Sequence, residues 1–237
     1  MKDKQQTFEI ELATYKHPRS ILAEAFRTLR TNLSFAAVKS PFRSVLVTSA
    51  LAGEGKTTVA ANLSIVLAQA GHRVLLLDCD LRLPAQHWVF GLDNRQGLTN
   101  VLVKQLDPVT VAQPGPVPGL SILTSGPVPP NPADLLGSEQ MRSLWPRLYE
   151  NFDHLVVDSP PVLSVTDAVL LASQVDGVLL VARTARTRIE NLQEAKAQLA
   201  RAGTSILGVV LNRAPLPRGS QGYYYGAYRY QTEELYL

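Results

Sequence analysis

The sequence holds a single cysteine among its 237 residues, Cys79. No disulfide framework can therefore form within it, which fits a reducing compartment. Concentrated positive charge is also missing. Lys and Arg number 23 against 20 Asp and Glu, for a net charge of +3, although the isoelectric point is near 9.0. With no run of Lys and Arg, nucleic acid is not an expected partner. The amino terminus, MKDKQQTFEIE, lacks the apolar stretch of a signal peptide. The most apolar long window, residues 165–182, contains Asp167, Ser173, Gln174, Asp176 and Gly177. A bilayer span needs about 20 mostly apolar residues, so no direct membrane span is expected. Charged residues make up only 18% and apolar residues 46%, enough for a substantial core and against wholesale disorder. At this length one large α/β domain is the expectation.

Short apolar runs alternate with helical patterns along the chain. RSVLVTS (43–49), HRVLLLD (72–78), HLVVD (154–158), GVLLVA (177–182) and ILGVVLN (206–212) read as buried strands. Helices are expected over 18–37, 57–70, 134–149, 166–173 and 188–202, with Pro146 interrupting or kinking the third of them. In the first, Leu22, Phe26, Leu29 and Leu33 form an apolar stripe centred near Leu22. Residues 1–17 read as an extended arm, and 107–132 as loop apart from a short strand at 120–123. Continuously apolar strands between helices imply an α/β fold with a mostly parallel sheet covered on both faces. Ligands in such sheets bind beyond the carboxyl ends of the strands. Asp78, Asp80 and Asp158 fall at those ends.

The segment SALAGEGKTT, residues 49–58, runs from a strand through a glycine-containing loop into a helix. This is the pattern of a P-loop. Gly53 and Gly55 let backbone N–H groups of the loop, Glu54 included, approach phosphate oxygens. The helix start at Lys56, Thr57 and Thr58 adds partial positive charge. Lys56 would reach the outer phosphates of a nucleotide, almost certainly ATP, and Thr57 would ligate Mg²⁺. One position departs from the pattern: Ala50 stands where the first glycine is usual. The pair Asp78 and Asp80 can hold Mg²⁺ through water or accept a proton; as a turn pair it could equally cap the strand end. Asp158 ends a strand in the manner of a second magnesium carboxylate. Asn212, ending the last strand, either meets an adenine edge or is a plain strand-end residue. Cys79 reads as a packed small residue, since no basic partner is visible.

Taken together, these motifs resemble the kinase domain of the bacterial tyrosine kinases (BY-kinases) of capsule and exopolysaccharide synthesis. The resemblance rests on the P-loop, the Asp-x-Asp pair, the later strand ending in Asp, and a tyrosine-rich carboxyl terminus. It extends through EAFRTLRTNL (24–33), PPNPADLL (129–136), DSPPVLSVTDA (158–168) and GVVLNRA (208–214), nearly the whole chain from about residue 18. It implies a P-loop NTPase fold and an ATP- and Mg²⁺-dependent protein-tyrosine kinase that autophosphorylates its tail and regulates polysaccharide synthesis and export. It further implies Lys56, Asp78 and Asp80 as catalytic residues, with Asp78 the base that takes the tyrosine proton. Asp80 and Asp158 would hold Mg²⁺ with Thr57. Tyr223, Tyr224, Tyr225, Tyr228, Tyr230 and Tyr236 would be the phosphoacceptors.

By the same resemblance Glu24, Arg27 and Arg30 form an E-x-x-R-x-x-R motif at the interface of a ring-like homo-oligomer. Helical geometry at 100° per residue places them in a polar band off the Leu22-centred stripe, though a solvated face with i,i+3 support gives the same pattern. The domain is expected over residues 1–217, followed by a flexible tail over 218–237. With no membrane segment seen in the sequence, a separate membrane activator with a cytoplasmic tail is expected to hold the protein at the inner face of the plasma membrane. A phosphotyrosine phosphatase is an expected second partner. The competing reading is a partition or septum-positioning ATPase, a nucleotide-switched binding protein of similar fold. Those proteins carry a signature lysine five residues before the P-loop lysine, and that position here is Leu51.

Overall fold

The computed structural model describes residues 12–36 and 42–215. The six tail tyrosines and residues 1–11 lie outside the described residues. In chain order the elements are α1 (Ala13–Lys16), α2 (Ile21–Ala36), β1 (Ser44–Ser49), α3 (Lys56–Gln69), β2 (Val74–Asp78), α4 (Gln86–Phe90), α5 (Leu98–Lys104) and α6 (Pro108–Val111). There follow β3 (Gln113–Pro114), β4 (Leu120–Leu123), α7 (Pro132–Leu136), α8 (Glu139–Asn151), β5 (His154–Asp158), α9 (Asp167–Ala172), β6 (Gly177–Arg183), α10 (Ile189–Arg201) and β7 (Ile206–Asn212).

The strands form one seven-stranded sheet in the order β3-β4-β2-β5-β1-β6-β7. All neighbours pair in parallel except β3 with β4. Every residue of β1 and β2 is buried, as expected of central parallel strands with helices on both faces. Two apolar clusters fill those faces. One gathers Leu75, Leu77, Leu155, Val157, Leu144, Trp145 and Leu199; the other gathers Val45, Val47, Leu76, Val156, Phe26, Leu63 and Val66. Helix α3 lies inside the second and is apolar around most of its circumference, which is why Val59 to Ala68 are all buried. A helix so enclosed is a fixed platform, and its first residues are those of the P-loop.

Four local expectations differ from the structure. Part of the expected arm, residues 13–16, is the helical turn α1. Thr14 is fully buried there, its backbone N–H and its hydroxyl both donating to Asn62 Oδ1 of α3, at 3.1 and 2.8 Å. The helix expected over 134–149 is two helices, split at Gly137 and Ser138, whose hydroxyl accepts from the Met141 N–H at 3.2 Å. Pro146 does not end the second one. It lies on the exposed side of α8, while Met141, Leu144, Trp145 and Leu148 anchor the helix to the core on either side of it. The carbonyl that Pro146 cannot serve belongs to exposed Arg142, where water can satisfy it. The stretch 107–132 contains α6 and β3 as well as β4, and α4 and α5 were not anticipated.

The fourth correction concerns α2. Its buried face is Ala23, Phe26 and Leu33, and Leu22 is 45% exposed. The core line therefore lies one residue from its expected position. This rotation carries Arg30 inward, where Nη1 donates to the Val66 carbonyl of α3 at 2.9 Å. Arg30 is half-buried, as Arg27 is, with Nη1 held by α3.

Candidate functional site

The carboxyl ends of β1, β2 and β5 converge beside the start of α3. Asp78 and Asp158 are direct register partners on β2 and β5, and Asp158 also pairs with Val47 of β1. The loop from Ala50 to Gly55 bridges β1 and α3. Gly53 and Gly55 have φ of +78° and +100°, a region side chains rarely adopt. A Cβ at Gly55 would lie 2.0 Å from Asn212 Nδ2. Both glycines are therefore required by conformation. Ala50 is not: it is buried, and its φ is not positive. The departure from the usual first glycine costs this loop nothing in backbone strain.

Glu54 staples the loop from within. Its buried carboxylate accepts from the Leu51 N–H at 3.0 Å through Oε2 and from the Thr187 hydroxyl through Oε1. Only its backbone remains available to a phosphate. Asn212, read either at an adenine edge or as a plain strand-end residue, has its amide against the loop, donating from Nδ2 to the Glu54 carbonyl at 2.9 Å.

Lys56 Nζ lies 2.9 Å from Asp80 Oδ2, 3.9 Å from Asp158 Oδ1 and 3.5 Å from the Thr57 hydroxyl. Asp80 Oδ1 accepts from the Leu83 N–H at 3.0 Å. Asp78 is fully buried. Its Oδ2 accepts from the N–H groups of Ala85 and Gln86, at 3.1 and 2.9 Å, and its Oδ1 from the Asp80 N–H at 3.3 Å. The Asp-x-Asp pair thus divides: Asp80 faces the lysine, and Asp78 is held by the turn that opens α4. Arg82 and Asp167 form a bidentate pair at 2.9 and 3.0 Å that ties this turn to α9.

Three carboxylates beside one ammonium in a dry site cannot all ionise cheaply. Burial, then the nearby Asp158, pushes the Asp78 carboxyl up to about 8. Burial also raises Asp158, with Asp80 adding to it. Lys56 loses hydration as well, but Asp158 and Asp80 outweigh this and hold it in its charged form, raised above the ordinary lysine value. Burial, with the three aspartates behind it, lifts the Cys79 thiol well above its usual range. Cys79 is a packed residue, as expected, and no nucleophile.

Do these residues suit a nucleotide-bound Mg²⁺? Asp158 Oδ1 is buried and has no hydrogen-bond partner among the described residues. It lies beside Lys56, with Thr57 and Asp80 close by. Among the described residues no group of three or more Asp, Glu, His or Cys is arranged to hold a metal unaided. The orphaned Asp158 oxygen fits a cation bound by one or two carboxylates, a hydroxyl, waters and phosphates.

Elsewhere, Arg27 Nη1 pairs with Glu24 Oε2 at 2.8 Å on α2, and its Nη2 donates to the Pro18 carbonyl. Sequence reasoning missed Gln86 and Thr187, which touch the site through side chains from short or loop segments. A cavity of about 580 Å³ lies at the other end of the sheet, lined by Arg73, Val117, Pro118 and Phe152, and none of the site residues reaches it. Among the described residues no helix is long and apolar enough to cross a membrane.

Residues 45–230 match the family model of the CobQ/CobB/MinD/ParA nucleotide binding domain. The chain is 44% identical over 209 residues to the tyrosine-protein kinase YwqD of Bacillus subtilis, covering 88% of each protein. It is 34% identical over 224 residues to the tyrosine-protein kinase wzc of Salmonella typhi, covering 94% of this chain but 31% of that longer protein. The crystal structure of the chimerical protein CapA2B2 superposes with a TM-score of 0.83 at 36% identity, covering 86% of this chain and 90% of that one.

Proposed function

The chain belongs to the bacterial tyrosine-protein kinases, within the CobQ/CobB/MinD/ParA nucleotide-binding family, and from that we propose that it transfers the γ-phosphoryl group of ATP to tyrosine hydroxyls, those of its own carboxyl terminus among them. One observation carries the reading. Lys56, at the mouth of a P-loop whose two glycines are left-handed, bridges Asp80 and Asp158. That is a cation poised to turn from carboxylates to phosphates. Phosphoryl transfer asks the protein chiefly for position and charge stabilisation, and this cluster supplies both.

In this reading the loop N–H groups and the start of α3 take the phosphates, and Lys56 stabilises charge on the transferred group. Thr57, Asp80 and Asp158 would hold the nucleotide's Mg²⁺, largely through water, and that ion would neutralise charge between the phosphates. Asp78, in its ionised form, accepts the tyrosine proton. Its geometry sets a condition: the carboxylate must exchange the Ala85 or Gln86 N–H for the substrate hydroxyl, so the turn opening α4 has to yield. Asn212 lies at the loop wall, where a base could follow the phosphates.

The acceptors in the chain itself are Tyr223, Tyr224, Tyr225, Tyr228, Tyr230 and Tyr236. Glu24, Arg27 and Arg30 form an oligomer interface on α2, with Arg30 also bonded to α3 through one guanidinium nitrogen. The biological role is control of exopolysaccharide or capsule synthesis and export, at the inner face of the plasma membrane, with a membrane activator and a phosphotyrosine phosphatase as partners. A partition-type ATPase shares this fold, but Leu51 occupies the position of its signature lysine. Incubating purified protein with ATP and Mg²⁺ and probing with an anti-phosphotyrosine antibody tests the reading: signal supports it, and silence under activating conditions contradicts it.

A further inference from the structure

Gln86 is a fully buried glutamine with contacts to three parts of the site. Its side-chain Nε2 donates to Asp158 Oδ2 at 2.9 Å and to the Thr57 carbonyl at 3.2 Å. Its backbone N–H donates to Asp78 Oδ2 at 2.9 Å. One residue therefore joins the ends of β2 and β5 to the first turn of α3. An uncharged amide suits the place. A carboxylate there would be a further negative charge beside Asp78 and Asp158, while an apolar side chain would leave Asp158 Oδ2 without its donor.

The bond also makes the two oxygens of Asp158 unequal. Oδ2 is held by Gln86. Oδ1 lies 3.9 Å from Lys56 Nζ and, like Gln86 Oε1, is buried without a hydrogen-bond partner among the described residues. The Thr57 hydroxyl also acts on the Asp158 carboxylate, yet Gln86 Oε1 and Asp158 Oδ1 still present two acceptors open to a donor, and waters around a cation are donors.

We propose that Gln86 is a positioning residue for the nucleotide-bound metal: by taking Asp158 Oδ2 and the Thr57 carbonyl, it orients Oδ1 and the Thr57 hydroxyl toward the cation's side of the site. This inference rests on the reading of Lys56, Thr57 and Asp158 as a Mg-nucleotide site. It differs from a packing role in a measurable way. A positioning residue affects binding that depends on the metal and leaves metal-free nucleotide binding alone.

The test uses a fluorescent ADP analogue and the full chain, with and without Gln86→Met, which keeps the volume and removes the amide. In the unaltered protein Mg²⁺ tightens nucleotide binding. In the variant the Mg²⁺ concentration for half effect should rise about tenfold, the usual scale when an outer partner of a metal ligand is removed, with metal-free affinity within about twofold. An unchanged Mg²⁺ requirement overturns the proposal. So does an equal loss of metal-free and metal-dependent affinity, which would make Gln86 a packing residue. Should Gln86→Met not fold, the side-chain ¹⁵N–¹H signals of Gln86 in the unaltered chain decide. They should shift when Mg²⁺ is added to the ADP-bound protein, and signals that stay put overturn the proposal. No effect of Mg²⁺ on nucleotide binding by the unaltered protein would instead remove the Mg-nucleotide reading itself.

Discussion

Asp78 and Asp158 sit directly across from each other on adjacent parallel strands, two fully buried carboxylates with different partners. Backbone N–H groups of α4's first turn hold Asp78; Lys56, Thr57 and Gln86 attend Asp158. Under the proposed function these two environments correspond to different work, a proton acceptor on β2 and a cation ligand on β5.

Asp78→Asn should remove tyrosine transfer while sparing nucleotide affinity. The amide is nearly isosteric but accepts no proton, and loss of a general base costs about 10²–10⁴ in rate. Transfer rate and ADP affinity measured on the same preparation check this. A collapse of affinity with the rate would make Asp78 a residue of the metal site.

The same substitution should change how the nucleotide-free protein responds to pH. With its carboxyl raised to about 8 from the ordinary 3.8, Asp78 binds a proton in the folded chain that the unfolded chain releases above about pH 4. Its contribution is complete below that pH and is lost as pH rises through about 8. Melting temperature should therefore fall from pH 5 to pH 9, and fall less in Asp78→Asn. Asp158, shifted the same way, leaves the variant a residual slope. Identical slopes would contradict the assignment.

Arg27 and Arg30 should separate on substitution. Arg27→Ala removes a half-buried group of the proposed interface that bonds only within its own segment, to Glu24 and Pro18, and should lower the mass seen by light scattering. Arg30→Ala breaks a charged hydrogen bond to the Val66 carbonyl, worth about 1.5–3 kcal/mol, and should lower the melting temperature as well. For a chain of this size about 1 kcal/mol corresponds to roughly 2–4 °C. Equal effects on melting temperature would contradict this separation.

Phosphorylation should pass between chains and loosen the assembly. Each phosphate adds about −1.5 to −2 charge, and several on one terminus would repel one another and a neighbour's aspartates. A mixture of Lys56→Met protein with protein whose six tail tyrosines are Phe should label the inactive chain, and fully phosphorylated protein should elute smaller. An unlabelled mixture rules out transfer in trans, and an unchanged elution rules out the loosening.

Much of this site could be read from the sequence because its signals are local. A strand, a glycine turn and a helix start are contiguous in residues 44–58, and each of Asp78 and Asp158 ends an apolar run. Gln86 could not be read this way. Its meaning depends on Asp158, 72 residues away, and α4 is too short to show periodicity. Thr14 is similar, buried by a bond to Asn62 across 48 residues. On α2 the pattern misled for another reason. Phe26, Leu29 and Leu33 are shared by two neighbouring stripes, and small Ala23, not Leu22, completes the buried one. That one-residue rotation is what brings Arg30 Nη1 to the Val66 carbonyl of α3.

Lys56→Met removes the cation that Asp80 and Asp158 share at the P-loop. Purified unaltered protein and the variant should be incubated with radiolabelled ATP and Mg²⁺ and scored for phosphotyrosine. Label should appear on the unaltered chain and fall about 10²-fold or more in the variant, since charge stabilisation at the transferred group is the largest catalytic contribution. Undiminished phosphotyrosine in folded Lys56→Met would contradict the proposed function.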